Sequence, residues 1–356
     1  MKKRILFIAP YPPGIGPSQR FRFEQYLPIL QQDYEITEWT FWNEKAWHAL
    51  YLKTGFFRKT GLLLLHFIRR WKHLWQVRRY DIVFLHREWA PIGPPVFEWL
   101  VAKVFRKPVI YDFDDAIWLP NVSESNWFAV WFKSFWKVKH IIRWSTHVIC
   151  GNQYLADFAK RYNSNITIIP TTIDTEKYKP GKKTTNTITL GWTGTVTTTN
   201  HLKTIVPVLK RMQAKSHFFF VLISNIDPQF DFDYQFVEWN AQTEVEDLQQ
   251  IDIGLMPLID TEWEKGKCGL KALQYMALEI PAVVSPVGVN KEIIKHEQNG
   301  FFATSEQEWE TVLTKLMNDD ELQRKIGMAG RKTVEEYYSV KKNVSFYSDV
   351  FEKVIT

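Results

Sequence analysis

Short runs of β-branched and aromatic residues, each followed by a stretch of helical periodicity, recur along this chain and leave few architectures open. Residues 5–9, 81–86, 109–112, 147–150 and 166–169 read as buried strands, with helical patterns at 18–30 and 95–105. A segment rich in Thr, Lys, Pro and Gly at 171–186 reads as a linker. The alternation then restarts, with strands at 187–192, 218–223, 253–256 and 281–285 and helices at 202–214, 245–250, 306–317 and 320–337. Strands that are apolar along their whole length and separated by helices pack as a parallel sheet covered on both faces. The expectation is an α/β protein of two doubly wound domains, residues 1–172 and 173–337, with a last helix at 338–356 packing back towards the first domain. In such sheets ligands bind at the carboxyl ends of the strands.

The composition, 45% hydrophobic and 24% charged, is that of an ordinary globular protein. Two cysteines, Cys150 and Cys268, offer neither a disulfide framework nor a paired metal motif, which favours a reducing cytoplasm. The opening MKKRILFIAPYPPG has too short an apolar run for a signal peptide, and the apolar stretch 61–68 is interrupted by His66. The net charge of +6 hides an asymmetry: residues 1–172 hold 24 Lys+Arg against 13 Asp+Glu, and residues 173–356 hold 21 against 26. Of the 16 tryptophans, 12 precede residue 150. A basic, Trp-rich half beside an acidic half points to a division of labour, one half facing something anionic and apolar.

The most informative stretch is Trp263 to Glu292, WEKGKCGLKALQYMALEIPAVVSPVGVNKE. It reads as a Gly-punctuated loop, a helix stopped by Pro281, a short strand and a second Gly loop. Leu270, Leu273 and Ala277 share the inward face, while Lys271, Gln274 and Tyr275 are expected on the surface. Gly266 and Gly269 let the backbone approach a ligand as the helix begins. A helix N-terminus flanked by Lys265, Lys267 and Lys271 is a natural anion site, with diphosphate the obvious candidate.

This pattern resembles the nucleotide-binding motif of GT-B glycosyltransferases of family 4. There the helix carries two Glu residues with seven between them, followed by Ala-Met-Ala, Gly-x-Pro-Val-Val and Gly-Gly-x-x-Glu. Here Gly266 falls on the first Glu and Gln274 on the second, with Tyr275-Met276-Ala277, Ile280 to Val284, Gly288 and Glu292 on the remainder. IAPYPPGIGPSQR, IIPTTIDTEKYKP, GWTGT and IGMAGRKTVEEYYS resemble, in order, the acceptor loop, the hinge, the first loop of the second domain and the C-terminal helix region. The resemblance covers essentially the whole chain. It implies a GT-B fold, two Rossmann-like domains facing a central cleft, with the donor nucleotide sugar in the second domain and no metal or other cofactor.

The candidate donor-binding residues are then Gly16 and Arg20 after the first strand, and Gly194 and Thr195 in the GWTGT loop. Lys267, Cys268, Gly269, Leu270 and Lys271 around the helix start join them, with Gln274 or Glu264 for the ribose. Relatives carry an Arg and a Lys for the diphosphate in the GWTGT loop. This chain has Thr193, Thr195 and Asn200 there, so Lys267 and Lys271 are the expected substitutes. Arg20 sits in the first turns of a helix, where a cation is disfavoured unless an anion is bound; an ordinary surface arginine is the plain alternative.

The candidate catalytic residues are Asp112 and Asp114, with His86 at the end of the second strand of this reading. The run Tyr111-Asp112-Phe113-Asp114-Asp115 crowds three carboxylates, which is costly unless something compensates. One of them, Asp115, could instead cap a helix. An Asp-x-Asp pair can also hold a divalent ion, but the resemblance argues against a metal.

From Lys45 to Tyr80 there are nine Lys/Arg and no acid, and residues 127–144 hold four Trp and four Lys/Arg, again with no acid. Amphipathic helices with solvated basic faces explain the apolar residues but not the absence of acids. Contact with an anionic membrane surface explains both. No recognised nucleic-acid module appears. The expectation is a retaining transferase, peripheral on the cytoplasmic face of the membrane, moving a sugar onto a lipid-linked or polysaccharide acceptor in surface glycan or lipopolysaccharide synthesis. The alternatives are a GT-B-type epimerase and a non-catalytic membrane-associated partner. A dinucleotide-binding enzyme is disfavoured, because no Gly-x-Gly-x-x-Gly follows either domain's first strand.

Overall fold

The computed structural model describes residues 2–51, 56–120, 134–181 and 187–355. The parts of the basic aromatic segments at 52–55 and 127–133, and of the linker at 182–186, lie outside them. The chain forms two compact units, Met1–Pro170 with Val344–Thr356, and Thr171–Asn343.

The first unit is built on six parallel strands: β1 (Arg4–Ala9), β2 (Glu35–Thr40), β3 (Ile82–His86), β4 (Val109–Phe113), β5 (His147–Cys150) and β6 (Ile166–Ile168). Their order is β2-β1-β3-β4-β5-β6, so the direction in which strands are added to the sheet reverses between β1 and β3. The register of β3 on β4 sets His86 opposite Asp112. The helix Val340–Ile355 completes the core of this unit. Its Tyr347 and Phe351 are buried; Phe351 meets Phe7 and Phe84 edge-on at 6.3 Å, and Tyr347 lies 4.7 Å from Tyr26.

The second unit repeats the plan with β7 (Thr189–Gly194), β8 (Phe219–Ser224), β9 (Gln235–Glu238), β10 (Ile253–Met256), β11 (Ala282–Val284) and β12 (Phe301–Phe302). Their order is β12-β11-β10-β7-β8-β9, with reversal between β7 and β10. Two glycines permit the tight packing. A Cβ at Gly254 would lie 2.3 Å from the Tyr275 ring, and one at Gly191 would lie 2.4 Å from Ile251.

Several boundaries depart from the sequence expectation, each for a local reason. The helix expected at 18–30 is broken into Pro17–Arg22, a 3-10 turn at Glu24–Tyr26 and Leu27–Leu30, because Phe23 leaves helical geometry at φ −136°. The helix expected at 202–214 divides into Thr199–Lys203 and Val206–Gln213, with Pro207 in the first turn of the second. The edge strands β2 and β9 carry polar residues on their exposed face and were not anticipated.

Candidate functional site

In the first unit the reversal point between β1 and β3 gathers the chemistry-bearing side chains. The loop after β1 is braced from beneath by the buried Gln19, whose amide exchanges hydrogen bonds with the Tyr11 backbone, and by Glu24, which accepts from the Gly14 N–H at 2.9 Å. Gly16, buried, is the N-cap of the helix Pro17–Arg22; a Cβ there would lie 2.6 Å from the Tyr11 ring. That helix places Ser18 and Arg22 over the ends of β3 and β4.

A continuous chain of polar contacts follows. Asp112 Oδ2 lies 2.7 Å from His86 Nδ1, and His86 Nε2 lies 2.8 Å from Ser18 Oγ. The Ser18 hydroxyl donates to Asp114 Oδ1 at 2.6 Å, which leaves His86 to donate to Ser18. Arg22 donates to Asp112 Oδ1 at 2.5 Å and also to the Ile169 carbonyl. Arg87 donates to Asp114 at 2.7 Å and bonds Asp115 as well. Arg87 does this from a left-handed backbone at φ 60°, a costly conformation for a side chain of this size. Its carbonyl is held by the Tyr111 hydroxyl at 2.8 Å.

The compensation that three adjacent carboxylates require is therefore two guanidinium groups. Burial alone would raise Asp112, but the charge of Arg22 and the His86 contact outweigh it and hold the carboxyl below its ordinary range. At Asp114 burial is likewise outweighed, first by Arg87 and then by His86 and Ser18. Asp115 does not cap a helix, because the chain continues as a turn and its carboxylate pairs with Arg87.

In the second unit the reversal point lies between β7 and β10. Trp192, fully buried on β7, lies beneath Gly194, where a Cβ would come 2.4 Å from the indole. The Lys271 ammonium sits over the Trp192 ring, 4.7 Å from its centroid. Lys271 is half-buried, and burial followed by the like charge of Lys267 lowers its pKa to about 7. It follows Gly269, the helix N-cap at φ +71°, where a Cβ would also strike Ile293 at 2.3 Å. The helix Leu270–Ala277 thus begins with free N–H groups beside a cation that has no carboxylate partner among the described residues.

The loop carrying these residues is pinned from its other end. The Ile259 N–H donates to His201 Nδ1 at 3.3 Å, so Nε2 faces Glu264 as the donor, 3.3 Å from Oε1. The second oxygen of Glu264 accepts from Thr261. Burial would raise Glu264, but these bonds and the nearby Lys267 bring it below its usual range.

A family profile described as Glycosyl transferases group 1 matches residues 234–333, and one described as Glycosyltransferase Family 4 matches residues 29–177. Both units also superpose on solved GT-B structures. Sucrose-phosphate synthase from Thermosynechococcus elongatus matches with a TM-score of 0.75 at 12% identity over 99% of each chain. A glycosyltransferase from Rickettsia africae matches with a TM-score of 0.71 at 14% identity, over 100% of this chain and 99% of that one. HepE from Anabaena in complex with UDP-glucose matches with a TM-score of 0.70 at 13% identity, over 98% and 99% respectively. The chain is a group 1, family 4 glycosyltransferase.

Within the transferase, the sequence-derived residues fall into two sets. Lys267, Cys268, Gly269, Leu270 and Lys271 form one continuous turn, with Gly194 close to Lys271 through the Trp192 ring. Thr195 is exposed, and its N–H is taken by Thr198 Oγ1 at 3.1 Å. Cys268 is buried, with its thiol 3.8 Å from the Gly266 carbonyl. Gln274 and Tyr275 are buried, not on the surface as expected. Gln274 donates to the Tyr178 hydroxyl at 3.2 Å, which in turn donates to Glu244. Tyr275 receives the Thr193 N–H at 3.0 Å, closing the otherwise open end of β7. Both oxygens of Glu264 are engaged within its own loop.

In the first unit His86 and Asp112 are fully buried, while Asp114 keeps slight exposure and Ser18 more. Arg20 is half-buried, with its guanidinium over the Phe21 ring. Ser18, which joins His86 to Asp114, was not among the sequence-derived candidates; its position directly after the Gly-rich loop was the available signal. Among the described residues no group of His, Cys, Asp and Glu is placed to hold a metal ion, and no helix is long and apolar enough to cross a membrane.

Proposed function

We propose that this glycosyltransferase moves a sugar, with retention of configuration, from a nucleotide-diphosphate sugar to a lipid-linked or polysaccharide acceptor at a membrane surface. The observation that carries the donor assignment is Lys271. A half-buried ammonium with a depressed pKa, next to a second lysine and a helix N-terminus, is costly in isolation and is relieved by a dianion. The diphosphate charge is met by Lys267, Lys271 and the N–H groups that open the helix Leu270–Ala277, in place of the cations relatives carry in the first loop of this domain. UDP is the first nucleotide to test, since HepE is seen with UDP-glucose.

On the acceptor side, Ser18 and the slightly exposed Asp114, with Arg87 and Asp115 beside them, keep exposed surface in their cluster, and Ser18 and Asp114 orient the incoming hydroxyl. His86, Asp112 and Arg22 lie behind and fix their positions. Departure of the nucleotide leaves an oxocarbenium-like sugar, and a phosphate oxygen of the leaving group takes the acceptor proton. The helix Phe56–Leu74 bears exposed Leu64, Leu65, Ile68 and Trp71 among basic residues, which supports peripheral attachment to an anionic cytoplasmic leaflet.

The test is release of nucleotide from a panel of nucleotide sugars, with and without membrane lipid extract, in buffer containing EDTA. Lipid-stimulated release from one donor is the expected result. Failure to bind any nucleotide diphosphate by calorimetry would overturn the donor assignment, and activity abolished by EDTA would overturn the lysine-only compensation.

A further inference from the structure

The helix Phe56–Leu74 and the turn Trp75–Arg79 carry seven Lys/Arg and no acid. Their surface is not uniform. A hollow of about 430 Å³ opens on one side, lined by Asn43, His66, Arg69, Lys72, His73 and Gln76. Leu65 and Ile68 form its apolar edge; they are 60% and 55% exposed, so water meets a hydrocarbon rim beside a cationic floor.

The floor is also unfinished. His66 Nδ1 and His73 Nδ1 are buried with no hydrogen-bond partner among the described residues, although His66 bonds the Phe41 backbone through its other side. Beneath them Arg70, fully buried, packs its guanidinium against the Phe41 and Trp89 rings and leaves Nε and Nη1 without partners among the described residues. Arg69 and Lys72 stand exposed with no ion pair among the described residues, and Arg70 behind them feels the Glu98 carboxylate but keeps buried donors unsatisfied, which is expensive. A ligand suited to this place brings compact negative charge for Arg69 and Lys72, and hydrocarbon for Leu65 and Ile68 and for the exposed Trp71 and Leu64 alongside.

We propose that this hollow is a seat for the phosphate headgroup of an anionic phospholipid, converting diffuse attraction between a basic helix and a membrane into one defined contact. This rests on the membrane reading above and sharpens it. Arg69 and Lys72 engage the phosphate, Asn43 and Gln76 supply neutral hydrogen bonds to the headgroup, and the apolar rim enters the acyl boundary.

The test compares two doubly substituted full-length proteins by co-sedimentation with phosphatidylcholine vesicles containing phosphatidylglycerol. Arg69→Gln with Lys72→Gln empties the hollow of its charge. Arg58→Gln with Arg79→Gln removes the same charge from exposed positions of the same segment outside it. Adsorption by net charge alone weakens both to the same degree, on the order of 30-fold for two charges. The seat predicts a further loss of at least about tenfold for the Arg69/Lys72 pair. Equal losses would overturn the seat and leave the membrane reading standing; a wild-type protein that stays in the supernatant at all lipid compositions would overturn both. Free glycerol phosphate that binds as well as vesicles do, with no selectivity for phosphatidylglycerol, would assign the hollow to a soluble phosphate and overturn the lipid seat.

Discussion

Lys271→Met is the sharpest perturbation of the proposed donor site. The ammonium lies over Trp192 with Lys267 as its nearest charged influence, and its pKa is about 7. A diphosphate in contact would form at least one charge-assisted hydrogen bond, worth roughly 1.5–3 kcal/mol, so the substitution should weaken nucleoside diphosphate binding by roughly 10- to 150-fold. The linkage gives a second readout. Bound diphosphate raises the lysine pKa, so binding takes up a proton wherever the free protein has lost one. Uptake should be about half a proton at pH 7 and about 0.9 at pH 8, and wild-type affinity should fall with rising pH in that range. Calorimetry in two buffers of different ionisation enthalpy measures this directly, with Lys271→Met as the control for the nucleotide's own titration. The stability sign is opposite. The folded-state pKa is depressed, so the ligand-free protein binds fewer protons folded than unfolded and gains stability as pH rises from about 7 towards the ordinary lysine range. Lys271→Met without ligand should therefore melt a few degrees higher than wild type at pH 7. Unchanged affinity in the variant, or proton uptake that is the same in variant and wild type, would refute the assignment.

Lys267→Met removes the like charge that depresses Lys271, so the proton-uptake window should move to higher pH; calorimetry at pH 8 and 9 checks it. Asp112→Ala leaves Arg22 and His86 buried without their carboxylate and should cost about 3–5 kcal/mol in urea unfolding. Asp112 and Asp114 have depressed folded-state values, so their contribution is present above about pH 4 and is lost as pH falls below it; the variant's stability should vary less with pH in that acid range. Ser18→Ala should cost about 1–2 kcal/mol and lower turnover while leaving donor KM unchanged, and a parallel rise in donor KM would count against the acceptor-side role. Gly269→Ala forces a side chain into φ +71° and against Ile293, which should cost about 1–3 kcal/mol and weaken nucleotide binding by displacing the helix start.

The central strands of both sheets were legible because residues such as Ile5–Ile8 and Ile253–Met256 are buried on both faces and read as unbroken apolar runs. Of the edge strands, β6 was read, but β2, β9 and β12 were not. Gln235–Glu238 has no fully buried residue, so its pattern is weak. The helix start at Gly269 was readable from local sequence, because glycine spacing and helical periodicity are both short-range signals. The Ser18–His86–Asp112 contacts were not, since they join residues 68 and 26 positions apart through the register of β3 on β4. Tyr275 was misplaced for a related reason. Its outward helical phase is overridden by a distant need, the unsatisfied N–H of Thr193.

The helix Val340–Ile355 supplies Tyr347 and Phe351 to a core whose other members, Phe7, Tyr26 and Phe84, are made first. During synthesis the first unit must therefore wait, its aromatic face uncovered, until the whole of the second unit has left the ribosome. The second unit, Thr171–Asn343, is contiguous and can close without that delay. Order of completion thus runs opposite to order of translation, and a nascent chain halted before residue 344 would present an intact second unit joined to an open apolar surface, a natural target for chaperones.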